Sequence, residues 1–307
     1  MQLSLPLRGI TTPLATPLKN SNTLDEAGLS RLVRHVLDGG VNCLFLLGTT
    51  GEGPSLSPTV QQQVIARACA DAKDRAPVLV GITDTSFEEA IAAAETSAKL
   101  GAAGVVYAGP SYFTIGQAEL LDHVGRLSER LPLPLFLYNM PSHTRVSFAP
   151  DTVRQACTLP NIVGLKDSSG DVQYFQTIRR VTAHRENFTL LMGPEELLIY
   201  AMLAGADGGV NGGSNLFPSL YTALYRAARD RNLDEALRLR AIVLEVSASI
   251  YAGTYSSSYL KGLKHTLSLL GLCEGALAEP YGSLDDANKT RLASSLASLR
   301  QRFPILG

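Results

Sequence analysis

The chain has 307 residues, 45% hydrophobic and 18% charged, which is the composition of an ordinary soluble globular protein with a sizeable core. Its net charge of −1, with basic residues scattered, argues against nucleic acid or an anionic membrane as partner. No apolar run approaches the roughly 20 residues of a membrane span, and residues 1–8 lack the features of a signal peptide, so the cytoplasm is the expected location.

Short runs of strand type alternate with longer stretches at helical spacing. Strands are predicted over 9–15, 42–47, 78–82, 104–107, 135–138, 162–166, 189–192 and 208–211. The first helix, over 25–37, carries Leu29, Leu32, Val33, Val36 and Leu37 on one stripe, with Thr23 or Asp25 as cap and Gly39-Gly40 as stop. The second opens at Ser57-Pro58, since proline suits the first helical position. A third, over 86–100, starts with the capping-box pattern Ser86-x-x-Glu89 and ends at Gly101. Further helices are expected over 116–130, 149–156, 172–183, 195–204 and 218–231. Strands that alternate with helices imply parallel pairing through right-handed crossovers, and eight such units predict an α/β fold, a closed (β/α)8 TIM barrel. Beyond Arg231 the alternation stops. Helices over 233–250, 256–270 and 285–302 read as a C-terminal helical extension (232–307) of the same unit as the barrel (1–231). Cys43, Cys69, Cys157 and Cys273 have no CxxC or Cys/His spacing and are expected as reduced thiols, Cys43 and Cys69 as small buried hydrophobes.

In such a barrel chemistry sits on the loops after the strands. Lys166 closes the apolar run Ile162-Val163-Gly164-Leu165, and an amine desolvated at a sheet rim is a nucleophile for a carbonyl. A lysine there also has a plain reading, a side chain that snorkels into water. Tyr138 closes the preceding strand, so the two should stand side by side about 4.8 Å apart, with the phenol in reach of a carbonyl on the lysine. The loop Gly48-Thr49-Thr50-Gly51-Glu52 offers hydroxyls and close backbone approach to a small anion. Gly109-Pro110-Ser111-Tyr112-Phe113 is an exposed aromatic loop, a pocket wall or an interface. The glycine-rich 208–215 stretch leaves a phosphorylated substrate open.

Gly48-Thr49-Thr50-Gly51-Glu52, Tyr138-Asn139-Met140-Pro141 and Gly164-Leu165-Lys166-Asp167, with their order and separations, resemble the dihydrodipicolinate synthase / N-acetylneuraminate lyase family of class I pyruvate-dependent aldolases. The resemblance covers the barrel from near residue 8 to 215 and, more loosely, the C-terminal helices. It implies that Lys166 forms a Schiff base with pyruvate or another 2-oxo acid and that Tyr138 relays protons. Thr49 assists, and Tyr112 reaches the relay from a neighbouring subunit. Thr50, with the backbone of Thr49 and Gly51, holds the keto-acid carboxylate, and the Val210 carbonyl faces the site. No metal or organic cofactor is implied, and a homotetramer of paired barrels is.

Two departures bear on the substrate. Where the synthase branch carries an arginine that grips a carboxylate, this chain has His143, which lacks the guanidinium fork. Ser168 stands where the synthases carry alanine, and a hydroxyl there resembles the sugar-acid aldolases. These favour a 2-keto-3-deoxy sugar acid as the compound joined or cleaved. The true synthase, using pyruvate and aspartate semialdehyde, and a barrel that only binds 2-oxo acids are the alternatives. His143 equally suits a loop residue bonded to a backbone carbonyl.

Overall fold

In the computed structural model, which describes residues 3–251 and 253–307, the eight apolar runs form parallel strands. Met1 and Gln2, at the head of the amino-terminal segment considered above, and Ala252 lie outside the described residues. The strands are β1 (Gly9–Pro13), β2 (Cys43–Leu46), β3 (Val78–Gly81), β4 (Gly104–Tyr107), β5 (Leu135–Asn139), β6 (Ile162–Asp167), β7 (Thr189–Met192) and β8 (Gly208–Val210). Each pairs with its sequence neighbours, and β1 pairs with both β2 and β8, so the sheet closes on itself. Closure explains why nearly every strand residue is buried. One face meets the barrel interior and the other the helices, so the strands are buried along their length and do not alternate between buried and exposed. The predicted (β/α)8 TIM barrel and its trailing helices are therefore what the chain forms.

Local chemistry sets the helix ends. Asp25, and not Thr23, caps Glu26–Asp38 by accepting from the Gly28 amide. Ser57 caps Pro58–Ala72, and Ser86 caps Phe87–Lys99 by accepting from the Glu89 amide. The expected capping box is only half formed, because the Ser86 amide bonds to Asp84 instead of Glu89. The helix expected over 195–204 is split into a 3-10 turn, Glu195–Leu197, and a helix, Leu198–Leu203, since Glu195 turns inward to a buried network. A small hairpin, Leu18–Asn20 with Thr23–Leu24, was not foreseen. All four cysteines are free; Cys43 is buried as expected, whereas Cys69 is only half-buried.

The core falls into an inner and an outer part. Cys43, Phe45, Leu79, Val106, Phe136, Tyr138, Val163, Leu191 and Val210 fill the barrel, and larger clusters lie between strands and helices. The C-terminal helices Leu233–Ile250, Ser258–Leu269 and Asp286–Arg302 contribute Leu239, Val243, Leu263 and Leu292 to the same outer cluster as β1, β2 and their helices.

Candidate active site

A cavity of about 760 Å³ opens at the carboxyl ends of the strands. Of the residues singled out in the sequence, Thr49, Thr50, Tyr138, His143, Lys166, Ser168 and Val210 line it. Gly51 lies just behind, where a side chain would press within 2.9 Å of the Leu14 carbonyl and the Leu47 amide. Tyr112 does not line it; that residue is 80% exposed on its own chain.

The lysine and tyrosine meet because of a one-residue irregularity. Leu135 pairs with Ile162, but Phe136 pairs with Gly164, which leaves Val163 as an extra residue in β6. From there Tyr138 pairs with Lys166 and Asn139 with Asp167. Without the bulge Tyr138 would sit opposite Leu165, and the lysine would face the helices. Gly164 makes room for this: a Cβ there would come within 2.7 Å of both the Phe136 ring and the Thr189 carbonyl. The Lys166 Nζ sits 3.9 Å from the centre of the Tyr138 ring and 5.1 Å from that of Phe45. Lys166 is buried, which disposes of the snorkelling alternative.

Tyr138 feels opposing influences. Burial acts to raise its pKa, but the charge on Lys166 and hydrogen bonds with Thr49, Ser168 and Lys166 outweigh it, and the phenol lies below the ordinary tyrosine value. The Thr49 and Tyr138 hydroxyls are 3.5 Å apart. Behind the pair, Asn139 donates to the Asp167 carboxylate at 2.9 Å and accepts from the Phe148 amide at 3.1 Å, which ties the ends of β5 and β6 together.

The Thr49–Thr50 loop is bent by two non-glycine residues in the left-handed region, Leu47 at φ 58° and Glu52 at φ 55°. Glu52 offsets this conformation by pairing with Lys264 at 2.5 Å and accepting from the Ala278 amide at 2.8 Å, with both ion-pair side chains fully buried. Thr50 shares a hydrogen bond of 3.0 Å with Tyr259. His143 sits at the cavity mouth on the short helix Pro141–Thr144, its Nδ1 3.0 Å from the Ser142 hydroxyl. Its partner is thus a side chain and not the backbone carbonyl considered above. Partial burial and then the Lys166 charge push its pKa below the ordinary histidine value.

Several wall residues carried no motif. Glu195 is buried, accepting from Tyr221 at 2.6 Å, the Gly213 amide at 2.8 Å and Ser247 at 3.3 Å. Burial pushes its carboxyl up to about 7. The phosphate reading of the 208–215 stretch meets this network, because the Gly213 N–H is already bonded to a carboxylate of the protein. Tyr251, Tyr259 and Tyr281 come from the C-terminal helices and the segments joining them. Tyr251 and Tyr259 flank a serine-rich stretch and Tyr281 follows Glu279-Pro280, none of which points at a barrel mouth.

The model of the dihydrodipicolinate synthetase family matches residues 6–299. This chain belongs to that family. A 4-hydroxy-tetrahydrodipicolinate synthase of Thermotoga neapolitana is 32% identical over 89% of this chain and 92% of its own length. Among solved structures, a dihydrodipicolinate synthase of Bacteroides thetaiotaomicron superposes with a TM-score of 0.94 at 46% identity, covering 96% of this chain and all of that one. A monomeric dihydrodipicolinate synthase variant superposes with a TM-score of 0.88 at 29% identity, covering 94% and 96%. The protein is a pyruvate-dependent carbon–carbon lyase, a class I aldolase of the dihydrodipicolinate synthetase family. Among the described residues no helix is long and apolar enough to cross a membrane.

Proposed function

We propose that this member of the family joins pyruvate to, or releases it from, an uncharged polyhydroxylated aldehyde, the joined compound being a 2-keto-3-deoxy sugar acid. The observation that carries the reading is the scarcity of cationic groups. Among the described residues around the cavity, Lys166 and His143 alone can carry positive charge. The lysine is engaged by pyruvate, and His143 is biased towards its neutral form. A second carboxylate would meet no guanidinium fork, whereas hydroxyls would meet Ser168 and the His143 ring.

In this reading the Lys166 amine adds to the keto carbon and water leaves, giving a protonated imine. The imine draws electrons from the C3–H bond, and Tyr138 accepts the proton. The enamine carbon then bonds to the aldehyde carbon, whose oxygen takes a proton back from Tyr138, and water releases the product from Lys166. Cleavage is the reverse. The lowered Tyr138 pKa supports its role as the base, with Thr49 beside it. Thr50, with the Thr49 and Gly51 backbone, holds the pyruvate carboxylate, and the Val210 carbonyl faces the reacting atoms.

The names of the relatives favour a second reading, 4-hydroxy-tetrahydrodipicolinate synthase acting on pyruvate and aspartate semialdehyde. Initial rates with pyruvate and either the semialdehyde or a panel of sugar-derived aldehydes separate the two. Preference for the semialdehyde would overturn the sugar-acid reading. Treatment with pyruvate and borohydride should add mass to the Lys166 peptide, and its absence would overturn both.

The assembly proposed is a homotetramer, a dimer of dimers in which Tyr112 completes a neighbour's relay. Supporting it are the exposed Tyr112 and Phe113, at 80% and 76%, and the exposed apolar side chains of Tyr200 and Leu203 on one helix and of Leu233, Leu237 and Leu244 on another that touches it. Sedimentation velocity tests this, and an active monomer would remove the cross-subunit role of Tyr112.

A further inference from the structure

Thr49 and Thr50 are sequence neighbours at the cavity floor, and each is matched with a different phenol. Thr49 faces Tyr138 of the barrel, whereas Thr50 faces Tyr259, on the first turn of the C-terminal helix Ser258–Leu269. We propose that Tyr259 is a positioning residue for the substrate carboxylate: its phenol donates to the Thr50 oxygen and turns the Thr50 proton into the cavity. This inference rests on the reading of Lys166 and Thr50 given above.

A threonine hydroxyl has one proton and two acceptor sites, so whichever neighbour donates to it decides where its own proton points. A phenol is far more acidic than an alcohol and is the better donor of the two. Burial, and next the Glu195 carboxylate, hold Tyr259 well above the usual tyrosine range, so it keeps that proton at every working pH. A Thr50 oxygen that accepts from Tyr259 is left to donate to a carboxylate, and each bond in such a chain polarises the next.

Two features of the backbone and packing serve the same contact. A Cβ on Gly212 would fall 1.8 Å from the Tyr259 hydroxyl, so only glycine at that position admits the phenol to Thr50. Tyr251 meets the Tyr259 ring edge-on at 4.8 Å between centroids and 70° between planes, which fixes the ring's direction. The C-terminal extension thereby reaches across the barrel mouth to act on the 2-oxo-acid end of the substrate.

Tyr259→Phe removes the hydroxyl and keeps the ring against Tyr251. The readout is the concentration dependence of borohydride-trapped adduct on Lys166, measured with pyruvate and with acetone, a ketone with no carboxylate. Half-saturation by pyruvate should rise about tenfold while that by acetone stays within about twofold, the size expected for one lost hydrogen bond in a charged chain. Gly212→Ala, which displaces the phenol, should show the same selective loss. An equal loss with both ketones would make Tyr259 merely structural, and no change with either would remove its role; both overturn the proposal. A wild-type enzyme that traps neither ketone would instead remove the Schiff-base reading of Lys166, and this inference with it.

Discussion

At Tyr138 burial and a neighbouring cation act in opposite senses on one phenol, and the cation, helped by hydrogen bonds, prevails. On the roles proposed above, replacing Tyr138 with Phe removes the relay but not the nucleophile. Turnover should fall by about 10²- to 10⁴-fold, while pyruvate still forms a borohydride-trapped adduct on Lys166. Glu195 shows the opposite balance. Its carboxyl is pushed from 4.5 up to about 7, so the folded chain holds that proton more tightly than the unfolded chain does. The contribution to stability is therefore complete below about 4.5 and is lost as pH rises towards 7. In Glu195→Gln this part of the slope should vanish, so that urea unfolding of variant and wild type compared across that range shows the variant gaining relative stability as pH rises. Lys166 and Tyr138 were legible because each closes an apolar run. Glu195 and Tyr259 were not, because nothing in their neighbourhoods along the chain says which way they turn.

Among the elements, β6 is decisive. Its apolar run announces a strand, but the extra residue at Val163 depends on what Phe136 and Thr189 of the neighbouring strands leave free. Gly164→Ala would drive a methyl group against the Phe136 ring and the Thr189 backbone. We expect a loss of about 1–3 kcal/mol in stability from such overpacking. Turnover should fall further than Lys166 burial alone would suggest, since the bulge carries the lysine's direction. Chemical denaturation and steady-state rates on the same preparation check both effects. The split of the 195–204 helix escaped prediction for a related reason, since Glu195 bonds to Tyr221 and Ser247, distant in sequence, and the short hairpin has a backbone bridge from Leu18 to the distant Ala276.

Across the whole molecule, barrel and C-terminal helices are joined at the site itself. The fully buried Glu52–Lys264 pair links the Thr49–Thr50 loop to the helix that also carries Tyr259. Burial lowers the Lys264 pKa and the Glu52 carboxylate opposes that, so the ammonium depends on its partner. Lys264→Met strands a carboxylate in the core, and it should cost about 3–5 kcal/mol, measured by equilibrium urea unfolding. The double change Glu52→Gln with Lys264→Met should recover part of that loss.

Eight apolar runs spaced by helical stretches were enough to imply a closed parallel barrel, because each run is too short and too apolar to bury itself any other way. Motif order was likewise enough to single out an amine and a phenol at adjacent strand ends. The tertiary structure decided that they face each other, through a bulge whose position depends on the volumes of side chains on three strands. It also decided that the third part of the site, Tyr259 from a C-terminal helix with Tyr251 against its ring, meets Thr50. Such contacts join residues some two hundred positions apart, as Thr50 and Tyr259 are, and no local pattern of polarity encodes them.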